Sequence, residues 1–165
     1  MKLINKSLCL ISLIGILVSC SPDPVSEVSE TANLQSSNVN TMQDDDFALD
    51  VLDGINAHRA SLGLGDLQLH NASKMQAIEH TNYMVEQNRM SHDNFFKRSD
   101  ILKDKGAKAV SENVAYGQRT PEKVVEAWLN SPPHKAAIES DYTHTGIGVA
   151  SNEYGINYYT QIFIR

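Results

Sequence analysis

The sequence predicts an α+β domain in which helices come first and an antiparallel strand hairpin comes last. Apolar residues recur at helical spacing from Phe47 to about Arg89, a hydroxyl-proline-acid start opens a further helix at Thr120, and two alternating runs close the chain. Each element follows from its own local signals.

The chain opens on Lys2 and Lys6, followed by an apolar stretch from Leu8 to Val18. That stretch is shorter than the roughly 18 residues a spanning helix needs, so residues 1–19 read as a signal peptide. Leu17-Val18-Ser19-Cys20 resembles a bacterial lipobox, which implies cleavage before Cys20 and lipid attached to its sulfur. The competing reading, a secretory signal with a chance cysteine, leaves the position of Cys20 unexplained. Several lipid tails hold a protein at a membrane without spanning it. Ser21 after that cysteine implies outer-membrane sorting where the cell has an outer membrane. Cys9 lies in the signal and Cys20 is taken by lipid, so the folded region has no thiol for a disulfide or a metal.

Residues 20–46 are expected to form an acidic, disordered tether. They are rich in Ser, Pro, Asn and Asp, lack basic residues, and bring Asp23, Glu27, Glu30, Asp44, Asp45 and Asp46. The whole chain carries a formal net charge of −6. Most of the acidic excess sits in this tether, and residues 47–165 are nearly balanced. A near-neutral domain without a basic stripe has no footprint for nucleic acid. Residues 47–165 have the size of one domain and show no internal repeat.

Within that domain, Phe47, Val51, Ile55 and Leu62 fall at helical spacing, and Gly63-Leu64-Gly65 ends the run. Asn71 is positioned to cap a second helix whose stripe would hold Met75, Ile78, Asn82, Val85 and Arg89, widened by Ala72 and Ala77. Thr120-Pro121-Glu122 opens a third with a hydroxyl cap, proline at the first helical position and an acid in the first turn. It carries Val124, Val125, Ala127 and Trp128 and stops before Pro132. Ser131 is placed to cap a short helix with Pro132 first and His134 in its opening turn. Thr143 to Ala150 and Tyr158 to Ile164 alternate as strands, joined by a turn over residues 151–155. Gly146 and Gly148 share a strand face opposite Ile147 and Val149, so a neighbour packs closely on the bare side.

Two histidines and one glutamate are the chemistry-bearing set. His92 follows Ser91, Glu112 sits in Ser111-Glu112-Asn113, and His134 ends Trp128-Leu129-Asn130-Ser131-Pro132-Pro133-His134. Imidazoles that are neutral near pH 7, beside a carboxylate, suit a divalent metal or a proton-transfer site.

The same segments, in this order, resemble the CAP superfamily, named for cysteine-rich secretory proteins, insect antigen 5 and plant pathogenesis-related protein 1, and its short bacterial branch above all. Ile55-Asn56-Ala57-His58-Arg59 with Leu62-Gly63 and Leu67 is similar to the opening helix of that branch, and Met90-Ser91-His92 to the end of its second helix. Ser111 to Ala115, Trp128 to His134, Gly146 to Ala150 and Tyr159 to Phe163 complete the series. The resemblance covers essentially all of 47–165. It implies a three-layer α-β-α sandwich with a small antiparallel sheet and a cleft over it. It also implies a cleft set of two histidines and two glutamates. By position these are His92, His134 and Glu112, with Ser131 where many members carry the second glutamate.

Serine is neutral and supplies neither a strong base nor a charged ligand. The resemblance therefore implies an open, weakly held Zn2+ or other divalent cation on His92 and His134, completed by water, with Glu112 orienting a ligand. Glu112 is also the candidate base of any catalysis. The structural alternatives are that Glu112 caps backbone amides and Ser131 caps a helix. His58, His70 and His144 read as hydrogen-bonded structural residues. His80 lies twelve positions before His92, about 120° away on a continuous helix, and is left out of the site. Trp128, Met75, Met84 and Met90 read as core.

No His-Glu-x-x-His, Gly-x-Ser-x-Gly or phosphate-binding glycine loop is present, which lowers the expectation of catalysis. The expected function is an extracytoplasmic, membrane-anchored binding module whose cleft holds a metal and an unknown ligand. The alternatives are a metal-dependent hydrolase of peptide or cell-envelope polymer, with Glu112 as base, and a lipid or sterol binder.

Overall fold

The computed structural model describes residues 26–165, with side chains from Asp44 onward. The expected signal peptide, residues 1–19, and Cys20 lie outside the described residues. The elements are α1 (Ser26–Ser61), β1 (Gln68–Leu69), α2 (Asn71–Glu86), α3 (Phe95–Asp104), β2 (Val110–Tyr116), α4 (Pro121–Leu129), α5 (Pro132–Ile138), β3 (His144–Ser151) and β4 (Asn157–Ile164). The four strands lie in the order β1-β3-β4-β2. β3 and β2 both pair antiparallel with β4, and the two-residue β1 joins β3 in parallel. The sheet is therefore mixed at one edge, where an antiparallel sheet was expected.

The C-terminal hairpin falls where the alternation predicts it. β2 and α3 carry no comparable signal. Glu112 and Asn113 are adjacent in β2 and both buried, so the strand lacks the polar-out alternation that marks a half-buried strand. α3 follows Asn94, which sits at φ 60 and makes no side-chain cap bond, so no start signal precedes it. α4 begins as expected, with Thr120 Oγ1 accepting from the Lys123 amide.

α1 begins inside the stretch expected to be a tether. Its described part buries Val51, Leu52 and Ile55 and ends near Gly63, whose φ of 74° suits glycine. Leu62 is exposed. Asp45, also expected in the tether, pairs with Lys74 at 2.8 Å.

Two helical layers cover the sheet. On one face Val51 and Ile55 of α1, Val125 and Trp128 of α4 and Ile138 of α5 pack on Ile147, Tyr159 and Phe163. On the other, Ala77 and Met84 of α2 and Leu102 of α3 meet Val114, Tyr158, Ile162 and Ile164. This is the three-layer α-β-α sandwich that the resemblance implied.

The buried face of α2 differs from the one its apolar residues suggest. Ser73, Ala77, His80, Thr81 and Met84 are buried, while Met75 is 70% exposed and Ile78 and Met90 also face solvent. The reason lies across the interface. A Cβ on Gly146 would stand 2.0 Å from the Lys74 amide nitrogen, and one on Gly148 2.6 Å from the Ala77 carbonyl. α2 rests directly on the β3 backbone, so small residues have to face it, and the large apolar ones turn outward. The close packing expected beside these glycines is present.

The cap of α2 is one residue earlier than expected. His70 Nδ1 accepts from the Ser73 amide, in place of Asn71. At α5, Ser131 occupies the N-cap position as expected but its side chain makes no cap bond.

Candidate functional site

β2 presents Val110, Glu112 and Val114 toward α2 and α3, because side chains alternate along a strand. Glu112 thus enters the layer between sheet and helices, with its side chain 1% exposed. A carboxylate so placed needs charged and hydrogen-bonding partners. Arg98 of α3 supplies them: Nε donates to Oε2 at 2.8 Å and Nη2 to Oε1 at 2.9 Å, a bidentate fork. Arg98 is itself buried, and its Nη1 donates to the Asp93 carbonyl at 2.7 Å.

His92 completes the cluster. Its Nδ1 lies 2.9 Å from Glu112 Oε1. An oxygen of a carboxylate paired with guanidinium only accepts, so Nδ1 donates the proton, and in the neutral tautomer Nε2 holds the lone pair. The His92 side chain is 52% exposed, so Nε2 is open to ligands. A histidine held through one nitrogen by a carboxylate, with the other nitrogen free, is the arrangement that orients metal-binding imidazoles.

His80 belongs to the cluster, although its helical position relative to His92 had excluded it. Its Nε2 stands 3.8 Å from Glu112 Oε1 and donates to the Ser91 carbonyl at 2.7 Å. The angle of about 120° holds only for one helix through both histidines. α2 instead ends at Glu86, and the chain turns through Asn88 at φ 48. His92 therefore sits in the following loop and folds back over His80. Burial holds the His80 pKa below its ordinary value near 6.5; Arg98 and His92 push the same way, opposed by the Ser91 bond and Glu112.

His134, near the start of α5, is half-buried. Its carbonyl accepts from Asn113 Nδ2 at 3.1 Å, which ties α5 to β2 one residue from Glu112. Burial lowers its pKa, and the charge of His92 lowers it further. The lowered pKa favours the neutral form of His134, in which one ring nitrogen keeps a lone pair. Ser131 lies one turn earlier, its hydroxyl in no cap bond. Among the described residues no group of three or more His, Cys, Asp or Glu side chains is arranged to hold a metal. Two imidazole nitrogens are the available donor set, because Arg98 occupies both oxygens of Glu112.

Arg98 was missed by the sequence reading. The signal that could have found it is the inward position of Glu112 between Val110 and Val114, which demands a buried cation. The remaining family-like residues hold the frame. Asn56 bonds both backbone groups of Leu67, and Arg59 donates to the carbonyls of Gly65, Ile138, Ser140 and Tyr142. His58 pairs with Glu139, and His144 stands 2.8 Å from Thr143 Oγ1. Trp128 is core as expected, with Nε1 donating to the Val114 carbonyl.

Residues 52–163 match the sequence profile of the cysteine-rich secretory protein family, CAP. The chain is 37% identical over 122 residues to the uncharacterized membrane protein YlbC of Bacillus subtilis (strain 168), covering 70% of this chain and 33% of that protein. It spans between a third and a half of the length of the curated relatives it matches. Among solved structures, an extracellular protein containing an SCP domain from Bacillus anthracis str. Ames superposes with a TM-score of 0.65 at 26% identity, over 74% of this chain and 41% of that one. An outer surface protein from Borrelia burgdorferi superposes with a TM-score of 0.63 at 24% identity, over 69% of this chain and 88% of that one. The profile match and these likenesses agree with the glycine-backed sandwich and with the order of its motifs: the chain belongs to the CAP, or cysteine-rich secretory protein, family.

Proposed function

We propose that this chain is an extracytoplasmic CAP module that binds a ligand at His92 and His134, and that it is a binding protein, not a hydrolase. The observation that carries the reading is the state of Glu112. Both its oxygens are engaged by Arg98, one of them also by His92, and the side chain is almost wholly buried. A general base must reach the proton it removes. Glu112 instead fixes the His92 ring, and Ser131 puts no second carboxylate in its place.

The free Nε2 of His92 and the neutral ring of His134 suit a divalent cation such as Zn2+, weakly held because water would have to complete its shell. Bound there, the ion would act as a Lewis acid toward a ligand oxygen. The membrane protein YlbC and the extracellular SCP-domain protein support an envelope location. No helix among the described residues is long and apolar enough to cross a membrane. A lipid on Cys20 is the proposed attachment, tested by mass spectrometry of the protein extracted from membranes.

Zinc titration by calorimetry, on wild type, His92→Ala and His134→Ala, tests the site. The reading expects binding that both substitutions abolish, and no zinc-dependent hydrolysis of peptide or envelope polymer. Binding retained in both variants removes the site, and turnover that His92→Ala abolishes replaces binding by catalysis.

A further inference from the structure

A cavity of about 670 Å3 lies where the segment after β2 meets the β3–β4 turn, lined chiefly by Tyr116, Gln118, Arg119, Lys123, Tyr154 and Ile156. We propose that it is a second binding site, for a short carboxylated oligosaccharide. The proposal stands apart from the histidine site, none of whose residues line this cavity.

Its size is that of a small-ligand site, which runs to roughly 300–1,000 Å3. Its walls are rigid. Asn152 Oδ1 accepts from the Tyr154 and Ile156 amides at 3.1 and 2.9 Å, and Gly155 takes the left-handed φ of 71° that closes the turn. Asn152 Nδ2 in turn donates to Asn88 Oδ1, which also accepts from the Tyr158 hydroxyl, so the turn is fastened to the end of α2. On the opposite wall the Gly117 amide donates to the Asn157 carbonyl at 2.8 Å, and the Gln118 carbonyl accepts from the Tyr159 hydroxyl at 2.7 Å. A preformed site loses little of its interaction energy to the ordering of loops.

On this rigid frame stand two exposed tyrosines, of which Tyr116 also lies with its ring 5.6 Å from that of Tyr158. Tyr154 is 74% exposed and Tyr116 51%. Neither hydroxyl has a hydrogen-bond partner among the described residues, and Gln118 Oε1 is shielded from solvent without a donor. Flat phenol faces receive the C–H faces of sugar rings, while phenolic and amide groups receive their hydroxyls. Arg119 has no carboxylate within ion-pair distance among the described residues, although the chain is acidic overall, whereas Lys123 is paired with Glu126 at 2.6 Å. An unpaired guanidinium beside two tyrosines selects a planar anion, and carboxylate is the sugar substituent that meets it bidentately. Ile156 is the one aliphatic side chain among the described lining residues, too little apolar surface for an acyl chain.

The test uses the full chain and galacturonate trimer as the carboxylated probe, with galactose trimer as its neutral match and a pentapeptide with a free C-terminus as the competing class. Calorimetry is expected to show millimolar or tighter binding of galacturonate trimer, weakened at least about tenfold by Tyr154→Ala or Arg119→Ala and unchanged by His92→Ala. Galactose trimer should bind more weakly and ignore Arg119→Ala. Both substituted side chains are exposed, so melting temperatures should stay at the wild-type value. No saccharide binding, binding unchanged in Tyr154→Ala, or preference for the pentapeptide overturns the proposal. Loss of binding in His92→Ala also overturns it, by moving the ligand to the other site.

Discussion

The two faces of the sheet are held by opposite means. On the face toward α1, α4 and α5, large side chains fill the space: Trp128, Tyr159, Phe163, Ile138 and Ile147 are all at most 2% exposed. On the face toward α2 the strands offer Gly146, Gly148 and Thr160, and the helix answers with Ser73, Ala77 and Thr81. Thr81 Oγ1 donates to the Ala77 carbonyl and lies 2.9 Å from Thr160 Oγ1. One face excludes water by volume, the other by backbone contact. The Glu112 cluster belongs to the second face, where helix and strand approach so closely that His80 and Glu112 are buried with partners in place of apolar filling, while His134 stands on α5.

The contrast is open to direct attack. The largest effect is expected from Arg98→Ala, which strands Glu112 in the interior; loss of one partner of a buried pair costs about 3–5 kcal/mol, read as a shift in the urea midpoint. Next is Gly148→Ala, which drives a methyl group into the α2 backbone and should cost about 3 kcal/mol. Its counterpart on the filled face, Ile147→Leu, keeps volume and should stay under about 1.5 kcal/mol. Equal costs for these two adjacent substitutions would remove the distinction between the faces. A smaller change, about 1 kcal/mol, should follow Thr120→Ala, which removes the α4 cap.

The smallest expected effect is on pH dependence. His80 and His134 have folded pKa values below the ordinary 6.5, so below that pH the unfolded chain takes up protons that the folded chain refuses. Their contribution to stability is intact above about pH 6.5 and falls as the pH drops through it. Melting temperature should therefore decline from pH 7 to pH 5, with a shallower slope in His80→Gln, whose amide can still donate to the Ser91 carbonyl. An unchanged slope in that variant would place the acid sensitivity elsewhere.

The two faces also differed in how legible they were. The filled face is written in periodic apolar residues, so α1, α4 and the C-terminal hairpin follow from spacing. The other face inverts the rule. Met75 and Ile78 look like core and point outward, because the glycines opposite leave room only for small residues. The glycines were the readable sign, and they predicted close packing without naming α2 as the partner. β2 and α3 were hidden because their buried residues include Glu112, Asn113, Arg98 and Ser99, which carry no apolar period. Of the site, His92, Glu112 and His134 came from motif order. Arg98 and His80 did not, since each belongs to it through a three-dimensional contact with one carboxylate.

The most direct measurement of the central claim, that Glu112 serves to orient His92 for binding, is a long-range proton–nitrogen NMR spectrum of the imidazoles, recorded at neutral pH with and without zinc. The account predicts that His92 keeps a proton on Nδ1, that His80 is neutral and protonated at Nε2, and that zinc-induced shifts are confined to His92 Nε2 and a nitrogen of His134. A His92 with Nδ1 unprotonated, or zinc shifts that reach His80 and leave His134 unmoved, would contradict it.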